Sequence, residues 1–372
     1  MDKKLKLRKS TPRREKIEST NSFDIIVFCH LRWDFVYQRP QHIISRLSES
    51  YKILVVEEPI HNDGKSNYVL EKINTNLTIL KPKVNSIAEI STILELLKIE
   101  AVEIAWFYSS AFVDLLPYLK IETIVYDCMD ELSQFKGASV ELRAQEKLLL
   151  QEADLVFTGG KSLYEAKSKL ASEVYCFPSS VDVDHFKKAG KLIAIPKDIQ
   201  DIQKPIIGYI GVIDERIDLP LLQETALLVP KVSFVMIGPL AKIRDEDLPR
   251  ASNIHYLGMK QYNELPGYLK AFDIAMMPFA LNESTEFISP TKTLEYMAAD
   301  KPIISTAIKD VVRDYSNALD VISNAQEFSN AIITVLNSEK KQDSVSYEAI
   351  LKKTSWDSTV NKMMLLLKQK SL

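Results

Sequence analysis

Lys292 and Glu295 stand three residues apart behind the string Ser289-Pro290-Thr291. At that spacing an ammonium and a carboxylate share one face of a helix. Ser289 suits an N-cap, and Pro290 suits the first helical position, where its missing N–H and fixed φ cost nothing. A helix from there to Ala299, stopped by Asp300 and Pro302, turns unpaired backbone N–H groups and a positive dipole end toward an anion such as phosphate. Lys292 adds a full charge in the first turn. Glu295, one turn deeper, offers a carboxylate that can grip a vicinal diol such as a ribose. Phosphate and ribose together describe a sugar nucleotide. The same spacing also fits an ordinary surface pair contributing roughly 0.2–0.5 kcal/mol, so the reading depends on the rest of the chain.

A second group of polar and aromatic residues follows the apolar run Asp24–Cys29. His30, Arg32, Trp33, Asp34, Arg39 and His42 crowd the stretch before an amphipathic helix carrying Ile43, Ile44 and Leu47. Such a stretch suits a ligand loop better than a plain connection, although Trp33 could pack and His42 could cap. Asp130 and Glu131 are paired acids after another apolar run, where helix caps are the plain alternative. Arg216 follows Gly211 and has Glu215 and Asp218 as surface-pair alternatives. Gly159-Gly160-Lys161-Ser162 lacks the spacing of a phosphate-binding P-loop and reads as a turn into a helix. Asp182-Val183-Asp184 spells D-x-D, but the five His are scattered and no cluster has metal-ligand spacing. No metal and no cofactor are expected.

These residues need elements to hold them. Apolar stretches at Lys52–Glu57, Leu77–Leu80, Val102–Phe107, Thr123–Tyr126 and Leu155–Phe157 alternate with helical ones at Ile87–Leu97 and Glu141–Glu152. That alternation predicts a parallel, doubly wound α/β sheet. A polar run over Lys187–Lys204 precedes a restart at Pro205-Ile206-Ile207-Gly208, with further strands at Val232–Ile237, Ile254–Leu257, Ile274–Met277 and Pro302–Thr306. At 372 residues the chain is about two domains long. Net charge of −3 argues against nucleic acid as a partner. Ten glycines supply neither a GxGxxG nor a Walker loop, which weighs against nicotinamide enzymes and P-loop NTPases. Three separated cysteines fit reduced thiols in a cytoplasmic protein. Met1–Thr20 is rich in Lys and Arg. It is expected to be a solvated tail, or an arm in peripheral contact with anionic lipid on the inner face of the membrane.

Ser289 to Lys292, Glu295 to Ala299 and Lys301-Pro302 resemble the nucleotide-binding segment of GT-B retaining glycosyltransferases, the glycosyl transferases of group one. The string from His30 to His42 is similar to the loop after the first strand in a bacterial subgroup related to teichuronic-acid and exopolysaccharide glycosyltransferases. The resemblance implies two Rossmann-like parallel-sheet domains facing a cleft. It implies sugar transfer from a nucleotide-diphosphate sugar to a glycan or lipid-linked acceptor in cell-surface polysaccharide synthesis, with retention and without metal. It assigns Arg216, Lys292 and Asp130 to catalysis. Gly211, Glu286, Ser289, Pro290, Thr291 and Glu295 would bind donor, and His30, Arg32, Trp33, Asp34, Arg39 and His42 acceptor. Three positions depart from the family pattern: Phe287 stands for the first of two Glu, Met129 for a His, and Val212 for an Arg. The implied domains are a basic arm at 1–21, an acceptor domain at 22–190, a linker at 191–204, a donor domain at 205–355 and a helix at 356–372 crossing back to the first domain. A GT-B sugar-nucleotide epimerase and a non-catalytic sugar-nucleotide-binding subunit are the alternatives.

Overall fold

The computed structural model describes residues 23–60, 64, 66–135, 137–338 and 344–370. The basic arm at 1–21 lies outside the described residues. Among the described residues fourteen strands form two sheets. The first holds β1 (Ile25–Cys29), β2 (Ile53–Glu57), β3 (Tyr68–Lys72), β4 (Leu77–Pro82), β5 (Ala101–Phe107), β6 (Lys120–Cys128), β7 (Leu155–Thr158) and β8 (Val174–Cys176). Their order is β3-β4-β2-β1-β5-β6-β7-β8. Every pairing is parallel except that of the edge strand β3, which runs antiparallel to β4. The second holds β9 (Ile206–Ile210), β10 (Ser233–Ile237), β11 (Ile254–Gly258), β12 (Ile274–Met277), β13 (Ile303–Thr306) and β14 (Asp320–Ile322), in the order β11-β10-β9-β12-β13-β14. All of its pairings are parallel. The fold is α/β of the GT-B type, with two Rossmann-like domains facing a cleft.

Burial on both faces explains the continuous apolar runs. In β1, Ile26 and Phe28 pack into one layer with Leu54, Val56 and Phe107. Ile25, Val27 and Cys29 pack into the other with Ile43, Ile44 and Leu47. That second layer is completed by Trp356, Val360, Met363 and Leu367, so the last helix, Trp356–Lys370, lies on the first domain. The strand order turns at β1 and at β9, each flanked by strands reached in opposite directions. Ligands of open α/β sheets bind outside the carboxyl ends of such strands. The loops carrying His30 and Gly211 leave from those two ends.

The crossing between domains begins earlier than the polar run at 191–204 suggests. Val181, Phe186, Ala189 and Ile199 already belong to the second core. Val181 bridges Ser355 in parallel, so the outgoing and returning strands of chain run side by side. The Lys187–Lys204 stretch is only in part a linker, because it holds a short helix at Lys197–Gln200.

Candidate active site

The helix Thr291–Ala298 begins one residue later than its sequence suggests, with Pro290 flanking it and no side-chain cap. Ser289 is engaged elsewhere. Its carbonyl accepts from Ser179 Oγ at 2.7 Å, and Ser179 Oγ in turn accepts from Thr291 Oγ1 at 3.3 Å. These bonds tie the first turn of the helix to the interdomain crossing. Lys292 Nζ donates to Glu295 Oε2 at 2.8 Å. Only 4% of the Glu295 side chain and 17% of the Lys292 side chain is exposed, so this is no surface pair.

Both line an open cavity of about 850 Å3 between the domains, together with Ser289, Pro290, Thr291, Gly211, Arg216, Arg39 and Asp130. Two glycines let the walls close. At Gly238, φ is +152° and an added Cβ would lie 1.8 Å from the Gly211 carbonyl oxygen. At Gly211, φ is +158° and an added Cβ would lie 2.5 Å from the Tyr209 hydroxyl. The turns after β9 and β10 can touch because Gly238 has no side chain, while Gly211 leaves room for the Tyr209 ring.

Arg216 is clamped within its own turn by Asp214, whose carboxylate takes Nε at 3.0 and 3.1 Å and Nη2 at 2.7 Å. It lines this cavity and a second one of about 1290 Å3, which also takes in His30, Phe35, Glu58, Phe135 and Lys242. Asp130, Gln38 and Met129 line both, which makes one cleft with two halves. Burial pushes the Asp130 carboxyl up from the ordinary range, and Arg216 partly offsets it. His30 is lowered to about 4 by burial and then by Lys242, and its buried Nδ1 has no hydrogen-bond partner. A third, smaller cavity of about 400 Å3 continues from Gly211 and Lys292 past Tyr37, Met259 and Tyr262.

Residues 204–338 match the family model described as Glycosyl transferases group 1. The second domain is a group 1 glycosyl transferase domain. A curated relative, TuaH of Bacillus subtilis, is named as a teichuronic acid biosynthesis glycosyltransferase and is 26% identical over 219 residues. That match covers 54% of this chain and 54% of TuaH, so the chain spans about half the length of the relative. Among solved structures, the Anabaena HepE protein in complex with UDP and glucose has a TM-score of 0.69 at 14% identity, covering 93% of this chain and 99% of its own. The structure described as Trehalose-6-phosphate from E. coli bound with UDP-2-fluoro glucose gives 0.68 at 12% identity over 93% and 99%. Sucrose-phosphate synthase of Thermosynechococcus elongatus gives 0.68 at 11% identity over 93% and 98%. At these identities the structures establish the shared GT-B fold.

Of the residues expected at the donor, the group 1 domain gathers Gly211, Ser289, Pro290, Thr291, Lys292, Glu295 and Arg216 around one cavity, where Asp130 meets them from the first domain. Glu286 does not join them. It is exposed on the loop before the helix and lines no cavity described here, while its neighbour Phe287 packs toward the first-domain core. The acceptor set divides more sharply. His30 lines the larger cavity. Arg32 instead donates to Glu57 at 3.2 Å and to the carbonyls of Glu58 and Pro59. The Trp33 backbone N–H donates to Glu57 Oε1 at 2.7 Å, and its ring packs against the core. Asp34 pairs with Lys81 at the surface. These three hold the loop together because their partners lie on β2, on β4 and just past β2.

Arg39 borders the first cavity but is committed below it. Its Nη2 lies 2.8 Å from the buried Asp127, and its Nη1 donates to the Phe177 carbonyl at 2.7 Å. His42 is buried and lines none of the cavities described here. It stacks on Trp356 at 4.8 Å and meets Tyr262 edge-on. Asp182, of the D-x-D string, caps the helix Val183–Phe186 through the His185 N–H. Sequence reasoning missed Gln38, Ser179, Phe135 and Lys242. Only Gln38 stood inside a stretch already marked as functional.

Proposed function

We propose that the chain moves a sugar from a nucleoside-diphosphate sugar to a glycan or lipid-linked acceptor in cell-surface polysaccharide synthesis, with retention and without a metal. The observation that carries the reading is the buried Lys292–Glu295 pair at a helix N-terminus, lining one interdomain cavity together with Arg216. Glu295 would hold the ribose diol. The N–H groups of the first turn, Lys292 and Arg216 would hold the diphosphate. In the reaction the anomeric C–O bond breaks with its electron pair going to the diphosphate, while the acceptor oxygen bonds the anomeric carbon and releases its proton. Negative charge grows on the phosphate oxygens as the bond breaks. Fixed cations and helix N–H groups aimed there lower the barrier.

Support for the donor comes from the relatives whose structures are described with UDP, with UDP and glucose, or with a UDP-fluorosugar. Support for an envelope glycan as acceptor comes from the name of TuaH. Retention rests on the likeness of the Ser289–Glu295 segment to the retaining family. Among the described residues no helix is long and apolar enough to cross a membrane. Any membrane contact is assigned to the basic arm.

The test is incubation with a panel of nucleotide sugars, with and without EDTA, following release of nucleoside diphosphate. Release that survives EDTA supports the proposal, and loss on chelation restored by Mn²⁺ or Mg²⁺ overturns the metal-free part. Thermal stabilisation by the donor without any turnover would instead favour a binding subunit. A ligand at 100 times its Kd adds about 2.7 kcal/mol, so that outcome is measurable. Conversion of the donor to its epimer would favour the epimerase.

A further inference from the structure

Among the described residues, Phe135 is the one in the cleft whose ring meets two cations from the opposite domain. Arg216 Cζ lies 5.5 Å from the ring centroid and Lys242 Nζ lies 4.5 Å from it. Phe135 comes from the loop after β6, in the first domain. Arg216 and Lys242 come from the turns after β9 and β10, in the second. Lys242 is otherwise paired only loosely, with Glu215 at 3.4 Å and nearly half its side chain exposed. Arg216 keeps its Asp214 clamp, so the ring adds a second restraint from across the cleft.

The loop that presents Phe135 has a built root. Lys167 is almost fully buried, with Nζ 2.6 Å from Glu131 Oε2 and 2.7 Å from Glu146 Oε1. Ser133 Oγ donates to Glu131 Oε1 at 2.9 Å, and the Tyr126 hydroxyl donates to Glu146 at 2.7 Å. A buried Lys with two carboxylates is a costly arrangement for stability alone. Here it fixes the loop four residues before the ring and one residue after Asp130.

We propose that Phe135 is a positioning residue: held by the Lys167 root, its ring fixes Arg216 at the seam between the donor and acceptor halves of the cleft. The assignment rests on the transferase reading above. It goes beyond it in making the geometry of a second-domain cation depend on a first-domain aromatic. An aromatic face attracts a cation through its quadrupole, and an aliphatic side chain of similar size does not. A misdirected Arg216 would still meet the diphosphate of the bound donor but would respond less well as charge develops, which lowers kcat more than it raises KM.

The experiment compares Phe135→Leu, Phe135→Tyr and Lys167→Met in the full chain, with donor kcat and KM read from release of nucleoside diphosphate. Expected is about a tenfold fall in kcat for Phe135→Leu with donor KM within about twofold, near wild-type kcat for Phe135→Tyr, and the Phe135→Leu pattern for Lys167→Met. Unchanged kcat in Phe135→Leu overturns the proposal, as does equal loss in Phe135→Tyr, because then the quadrupole is irrelevant. If Lys167→Met fails to fold, the Leu and Tyr pair still decides. A wild-type chain that releases no nucleoside diphosphate from any nucleotide sugar defeats the transferase reading itself. An active wild type with an indifferent Phe135→Leu defeats this proposal alone.

Discussion

Arg216 and Lys292 are held by different partners, and that sets what their removal should do. Among the described residues Lys292 is paired only to Glu295, so each compensates the other's burial. Glu295→Gln keeps an acceptor for Lys292 but grips a diol less well. Its expected effect is a raised donor KM at nearly unchanged kcat, because the ribose is the same in ground and transition states. Lys292→Ala and Arg216→Ala should lower kcat by about 10²–10³-fold, the range for removing one donor that meets developing charge. Steady-state kinetics over a donor titration separate the two classes. Silence in both Lys292→Ala and Glu295→Gln would reduce the pair to a structural ion pair. Gly238→Ala tests the walls rather than the charges. Its Cβ would fall 1.8 Å from the backbone oxygen of Gly211, which no rotamer change can relieve. Loss of donor-induced thermal stabilisation is expected, even if the apo protein still melts cooperatively.

At the scale of elements, the helix Arg39–Leu47, the turn at Tyr262 and the last helix meet through rings. His42 stacks on Trp356 with 12° between planes and lies edge-on to Tyr37 and Tyr262, while Tyr262 stacks on His185 at 4.2 Å. Burial first, then Arg46, Lys292 and His185, hold His42 well below the ordinary imidazole range. His185 is also lowered by burial, opposed by the Tyr262 carbonyl and Asp182. Both are therefore neutral when folded at pH 7 and readily protonated when unfolded. The unfolded state then binds more protons below its own value of about 6.5, so this stability is present above that pH and is lost as pH falls through it. The melting temperature should drop between pH 7 and pH 5, and the drop should shrink in His42→Phe, which keeps the stack. An identical pH profile in that variant would remove His42 from the account. None of this was legible in the sequence, where His42 looked like a ligand or a cap. Strands were legible because continuous apolar runs need burial on both faces. The edge strands β3, β8 and β14 were not, since Tyr68–Lys72 is largely exposed and Val174–Cys176 and Asp320–Ile322 are only three residues long. Arg32, Asp34 and Arg39 read as ligand groups because charged residues after a strand look alike whether they face substrate or brace a loop. Their partners Glu57, Lys81 and Asp127 lie 25, 47 and 88 positions away. The Ser289–Glu295 segment was legible because its partner, its cap region and its chemistry sit within seven residues of one another.

The whole molecule depends on how two separately cored domains are fixed to one another, and one buried carboxylate bridges them. Asp310, on the second-domain helix Lys309–Tyr315, accepts from the Ser162 N–H at 3.2 Å and from Ser162 Oγ at 2.5 Å. Ser162 is the second residue of the first-domain helix Lys161–Lys167, so the Gly159-Gly160-Lys161-Ser162 string is the turn into a helix that its sequence suggests, and its first turn meets a carboxylate of the other domain. Gly160 makes the approach possible: an added Cβ would lie 2.7 Å from Asp310 Oδ2 and 2.9 Å from Ser289 Cβ. Around this contact lie more exposed ion pairs, Lys161 with Asp314, and Glu165 with Lys309 and Arg313. Such pairs contribute about 0–1 kcal/mol each and are screened by salt. Removing Asp310 leaves a buried N–H and a buried hydroxyl without acceptors, at about 1–3 kcal/mol each. The buried contact should therefore dominate. In calorimetry, Asp310→Ala should lower the melting temperature and split a single transition into two, as the domains lose their coupling. High salt should do neither. Gly160→Ala should act in the same direction by pushing the helix away from both Asp310 and Ser289, and should also weaken donor binding through Ser289. A single, unshifted transition in Asp310→Ala would mean that the aromatic cluster and the returning helix hold the domains without it. A split caused by salt alone would transfer the role to the surface pairs.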